Sequence, residues 1–139
     1  MFNMLRLLAI PALAYLLTAC SPHPGAGYWQ TTGEESPNFI KEFVRLEVGY
    51  EGRTNIFDSK TATPEQAIRR CFWSGVDAQT LMLTCVQASN TDIEESYQLR
   101  VSPDNNTADL LKDETIIGHF MREKRPEIEH SYKEIFQPQ

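Results

Sequence analysis

The chain has only three cysteines, three histidines and 13 basic residues among 139, and each shortage excludes something. Affinity for nucleic acid rests on many Lys and Arg contacts to phosphate. The one basic run, Arg122 to Arg125, is interrupted by Glu123, so no nucleic-acid partner is expected. His23, His119 and His130 stand in no metal-ligand spacing, and Cys71 and Cys85 lack both a C-x-x-C pattern and His partners for zinc. Neither a metal nor another cofactor is expected. No G-x-S-x-G or comparable nucleophile pattern occurs. The acidic pairs Glu34-Glu35, Glu94-Glu95 and Asp113-Glu114 fall in expected turns or strand edges, where solvated charge is the rule. General acid–base work needs burial or a charged neighbour to tune such groups, so no enzyme is expected. The apolar run Leu7 to Leu17 is shorter than the roughly 20 residues that span a bilayer. Pro11 within it also disfavours a spanning helix.

That run has its own meaning. Arg6 precedes it and Leu17-Thr18-Ala19-Cys20 ends it, giving a basic start, an apolar centre and small residues at a cleavage point. The arrangement resembles a bacterial lipoprotein signal with its lipobox. The resemblance implies cleavage of residues 1–19 and a diacylglyceryl group on the Cys20 sulfur. It further implies an acylated new amine, so that the protein is attached to the membrane through covalent lipid. Several acyl chains give stable anchoring where one gives marginal binding. Ser21 follows Cys20. In lipoproteins of enterobacterial type a residue other than Asp at this place implies sorting to the outer membrane; the periplasmic face is the expectation and the cell surface the alternative.

Beyond residue 19 the chain carries 19 acidic against 12 basic side chains, a net of −7, in a length suited to one domain. With Cys20 lipidated, Cys71 and Cys85 remain. An even pair in an oxidising compartment is expected to form a disulfide, the alternative being two free thiols.

Residues 20–27 read as the lipidated Cys and a Pro/Gly-rich tether, 28–125 as a β domain and 126–139 as a C-terminal helix or tail. Tyr28 to Thr32 reads as a strand. A second is expected from about Phe43 to Tyr50, where Val44, Leu46, Val48 and Tyr50 alternate with polar residues. Arg53 to Asp58 returns after Glu51-Gly52. Thr63-Pro64-Glu65-Gln66 has the pattern of a capping box with Pro at the first helical position, predicting one short helical turn. Ile68 to Ser74 and Gln79 to Gln87 fold as a hairpin with Cys71 opposite Cys85 and Trp73 opposite Leu83. This register puts Leu81, Leu83 and Cys85 on one face. Ser96 to Ser102 alternates, Thr107 to Leu111 returns, and Thr115 to Arg122 is the last strand. Ile128, Tyr132, Ile135 and Phe136 form one face of a short helix. About seven short strands with frequent turns make the chain mostly all-β, a small antiparallel barrel or strongly curved meander.

Gly27-Tyr28-Trp29 at the head of the first strand, with Arg122 at the end of the last, resembles the Gly-x-Trp signature of lipocalin-like barrels. That resemblance implies an Arg packed over the Trp; the alternative is a core Trp beside a surface Arg. Ala26 to Thr31 also resembles the start of the mature domain in small envelope lipoproteins of unknown role. Tyr28, Trp29, Trp73 and Arg122 are thus the candidate aromatic cluster, as core or as the lining of a ligand pocket. The expected function is a non-enzymatic binding or interaction module with an envelope protein partner. The alternatives are a carrier of a small hydrophobic ligand and an inhibitor of an envelope-attacking hydrolase.

Overall fold

The computed structural model describes residues 22–124. The signal segment, Cys20 and the expected C-terminal helix over 126–139 lie outside the described residues. Eight strands form within them, each at a segment expected to be a strand, against an expected total of about seven: β1 Gly27–Thr31, β2 Arg45–Val48, β3 Arg53–Phe57, β4 Arg69–Gly75, β5 Thr80–Gln87, β6 Asn90–Val101, β7 Thr107–Lys112 and β8 Thr115–Arg122. Each pairs antiparallel with the next, and β8 closes on β1 through Trp29↔Arg122, Gln30↔Met121 and Thr31↔Phe120. The result is a closed up-and-down barrel, in which alternate residues point inward.

The β4–β5 register follows the sequence expectation. Cys71 pairs with Cys85 and Trp73 with Leu83, and the two cysteines are bonded. Both face the interior, as do Leu81 and Leu83, all almost fully buried. Buried side chains from all eight strands, joined by Phe43 from the β1–β2 loop, make one contiguous apolar cluster across the axis. The barrel is therefore filled with side chains, as small barrels commonly are.

Two differences from the sequence reading have physical causes. The second strand is shorter than Phe43 to Tyr50, because Phe43 enters the core from the loop and Gly49 begins the β2–β3 turn. β6 begins at Asn90 rather than near Ser96. Its first residues, polar apart from Ile93, show no alternation; pairing of Asn90 with Gln87 and of Glu94 with Val86, across a bulge, extends the strand. The turn at Thr63 forms as a single 3₁₀ turn over Pro64–Gln66, with Gln66 Oε1 accepting the Thr63 N–H at 2.9 Å. It sits on the outer wall, where Phe57, Ala62 and Ala67 form a second small cluster. The Arg45 guanidinium lies 4.4 Å from the Phe57 ring there and donates to the Ala62 carbonyl at 2.7 Å.

The chain enters and leaves the barrel at one end. That near end carries the β2–β3, β4–β5 and β6–β7 turns. The far end carries the β1–β2 loop over 32–44, the β3–β4 connection over 58–68 and the tight β5–β6 and β7–β8 turns.

Candidate functional site

The near end contains most of the aromatic residues singled out above. Trp29 is fully buried, and the Arg122 guanidinium lies 4.3 Å from its ring, within cation–π range. Trp29 Nε1 donates to the Gly25 carbonyl at 2.9 Å. Arg122 donates to the carbonyls of Asn105 at 2.8 Å, Ala26 at 2.9 Å and Pro24 at 2.5 Å. Burial lowers its pKa from the ordinary arginine value. A Cβ on Gly27 would come within 2.7 Å of the Arg122 guanidinium, and the Gly27 φ is +130°. Glycine is thus required beside the Trp because the Arg passes over it.

Pro22 to Ala26, expected to be a spacer, is instead strapped to the barrel. His23 Nε2 hydrogen-bonds to the Asp77 carbonyl at 2.7 Å, and a Cβ on Gly25 would meet Leu81 at 2.6 Å. Trp73 stands at the same end, donating through Nε1 to the Gly49 carbonyl at 2.7 Å, with its ring 6.0 Å from that of His23. Tyr28 lines an outer groove of about 320 Å³ that Arg122 also borders, together with Tyr50 and Arg53. The four residues therefore form no single pocket. Trp29 and Arg122 plug the barrel, Trp73 seals its rim, and Tyr28 belongs to the outer wall.

At the far end a different group closes the barrel. Phe43 packs edge-on to Tyr97 at 5.6 Å, and the Arg69 guanidinium lies 5.4 Å from the Phe43 ring. Arg69 Nε donates to Glu95 Oε2 at 3.0 Å, and Gln87 donates to Glu95 Oε1 at 2.9 Å. The Tyr97 hydroxyl donates to the same carboxylate. Burial works to raise the Glu95 pKa, but the hydrogen bonds from Tyr97, Gln87 and Arg69 outweigh it and bring it down to about 2. Burial, then the adjacent carboxylate, pushes Tyr97 up to about 12. The sequence reading took Glu94-Glu95 as solvated charge. Glu94 is exposed, but Glu95 turns inward. The signal was present: Glu95 is two residues before Tyr97 and so shares its face, as Arg69 does with Cys71 and Gln87 with Cys85.

The same end exposes an unpaired strand edge. β6 pairs with β5 from Glu94 to Arg100, whereas β7 covers only Gln98 to Val101. Among the described residues nothing pairs with the β7-facing side of Glu94 to Tyr97. Ser102 donates its N–H to Thr107, and Val101 donates to Gln79 on the opposite side. By the two-residue alternation, the N–H groups of Glu94 and Ser96 point out along the open edge. An outer groove of about 450 Å³ adjoins it, with Ser96, Gln98, Arg100, Asp113 and Glu114 among its lining. Asp113 and Glu114 form the β7–β8 turn at φ +49° and +67°. Such turns favour Asn-Gly, and a left-handed backbone costs an ordinary residue roughly 1–2 kcal/mol. The turn keeps its two carboxylates despite that cost.

His119, which stands in no metal-ligand spacing in the sequence, is partly buried. It bridges Asp109 on β7 and Glu34 in the β1–β2 loop, with Nε2 at 3.6 Å from the latter, and stacks edge-on with Phe39 at 5.0 Å. His23 is the strap residue described above, and His130 lies outside the described residues. Among the described residues no group of three or more His, Cys, Asp or Glu side chains is placed to hold a metal ion, and none of the helices is long and apolar enough to cross a membrane. Comparison of the chain with protein-family models, with curated proteins and with solved structures gives no match.

Proposed function

We propose that the protein is a lipid-anchored bacterial envelope protein, a non-enzymatic module that holds a partner protein on the open edge of β6. The observation that carries this reading is the unpaired β7-facing side of Glu94 to Tyr97. Exposed strand edges are templates for another strand, and main-chain hydrogen bonds supply the affinity in that mode of recognition. Carboxylates outnumber the basic groups Arg100 and Lys112 beside this edge, and that excess selects the partner. Asp92, Glu94, Asp113 and Glu114 repel a second copy of this edge and attract an extended segment bearing Lys or Arg. The lipobox resemblance supplies the anchor at Cys20 and the outer-membrane address. Because side chains occupy the barrel axis, recognition on the outer surface is favoured over carriage of a hydrophobic molecule inside.

The test uses a photoreactive residue at Glu94 in living cells, with the same residue at Asn55 on the doubly paired wall of β3 as control. Position 94 is expected to yield a discrete protein adduct and position 55 none. Ser96→Pro removes only an N–H that faces the open edge, a place where proline is tolerated. It should abolish the adduct while leaving the barrel folded. Equal adducts from both positions, or an adduct indifferent to Ser96→Pro, would refute docking at this edge.

A further inference from the structure

The exposed large apolar side chains are unevenly placed. Tyr50 is 75% exposed, Phe72 69%, Val76 55% and Met121 44%, and all four belong to the near half of the barrel; only Ile93, at 40%, lies toward the far end. Tyr50 and Val76 occupy the tips of the β2–β3 and β4–β5 turns. Phe72 and Met121 stand on the outer wall close behind them, on β4 and β8. Exposed hydrophobic residues scattered singly need no explanation, but a set gathered at one end does.

The strap indicates what covers them. The chain is fixed to the barrel from His23 onward, through Asp77 at the β4–β5 turn and through Arg122. Only three peptide steps separate His23 from Cys20, a reach of roughly 10 Å at full extension. A lipid on Cys20 therefore cannot leave the barrel free to swing at a distance. The near rim must lie against the surface into which that lipid inserts. We propose that the near rim is a membrane-seating surface, with Tyr50 and Val76 resting among the lipid headgroups and β6's open edge held away from the bilayer. This rests on the lipid-anchor reading given above. Tyrosine suits this depth, since its ring is apolar and its hydroxyl remains wet. The rim also carries acidic groups: Asp77 and Asp104 turn back to accept the N–H groups of Gln79 and Asn106 within their own turns, and Glu51 is exposed beside Tyr50. Those charges favour shallow contact over insertion.

The test uses the full lipidated protein in phosphatidylcholine vesicles containing lipid brominated near the top of the acyl chain. Flotation with the vesicles is read first. Tyr50→Trp and Ile93→Trp, both surface changes, are then compared for bromine quenching of the emission above that of the unsubstituted protein. Trp at position 50 is expected to be quenched at least about twofold more than Trp at position 93, because only the near rim reaches the interfacial zone. In the unsubstituted protein, amide hydrogen exchange should slow on vesicle binding over 49–52 and 76–79 and stay unchanged over 88–93. A protein that floats but shows equal quenching at the two positions overturns the seating and leaves the anchor intact. A purified protein that does not float overturns the anchor, and the seating with it.

Discussion

The two ends of this barrel are closed by different chemistry. At the near end, Trp29 and Arg122 donate to backbone carbonyls of Pro24, Gly25, Ala26 and Asn105. Carbonyls do not titrate, and arginine stays protonated at all ordinary pH. At the far end, Arg69, Gln87 and Tyr97 converge on one carboxylate, that of Glu95, above Phe43. That closure depends on a single ionisable acceptor. The plug at the near end thus rests on acceptors that do not titrate, while the far end, where the open β6 edge lies, carries the closure that acid can loosen.

The comparison is broken most severely from the near end. Trp29→Ala removes the largest fully buried side chain and leaves the Arg122 guanidinium without its ring. Such a truncation costs about 3–5 kcal/mol. Urea unfolding at neutral pH should show a loss of that size. A loss under about 1 kcal/mol would mean that Trp29 is not what fills this end.

The disulfide sharpens the contrast from the other side. Cys85 pairs with Glu95 across β5–β6, and Cys71 lies two residues from Arg69, so the bridge sits directly beneath the far network. Its two cysteines are 14 residues apart, and closing a loop of that size contributes about 3 kcal/mol in the chain-entropy account. The Cys71→Ala/Cys85→Ala double variant should lose that stability. Its amide protection should fall at Arg69, Glu95 and Tyr97 before it falls at Trp29 and Leu46. Uniform loss at both ends would mean that the barrel opens as one unit.

What could be read from the sequence differs between the ends for a physical reason. The β4–β5 register was legible because one bridge and one apolar face had to agree. The stack of Arg122 on Trp29 was legible only through a family resemblance, since nothing local links residues so far apart in the chain. The strap over 22–26 was misread as a spacer because its Pro and Gly composition reports local freedom, whereas its order comes from Asp77 and Arg122, distant in sequence. The open edge was hidden for the opposite reason. The strand at Asn90 to Glu95 is held by pairing of Asn90, Glu94 and Glu95 with β5 across a bulge, and a stretch whose one apolar residue is Ile93 gives no periodic signal. Glu95 was the avoidable miss, because its parity with Tyr97 already placed it inside.

The mildest disturbance is also the one that best separates the two ends. Glu95→Gln keeps the side chain's shape but weakens three hydrogen bonds to an ionised group, a loss of about 1–3 kcal/mol at neutral pH. The Glu95 pKa is held at about 2 in the folded protein, against an ordinary 4.5. A carboxylate with a depressed folded pKa contributes stability that is fully present above the unfolded value and disappears as pH falls toward the folded one. The stability gap between the native protein and Glu95→Gln should therefore be constant from neutrality down to about pH 5 and close between about pH 4.5 and pH 2. Trp29→Ala, acting on a plug whose acceptors are all backbone carbonyls, should keep its deficit through the same range. Melting temperatures of the three proteins across that interval decide the matter. If the Glu95→Gln gap persists at the acid limit, the Arg69–Glu95 contact contributes packing and not charge, and the two closures respond alike to acid.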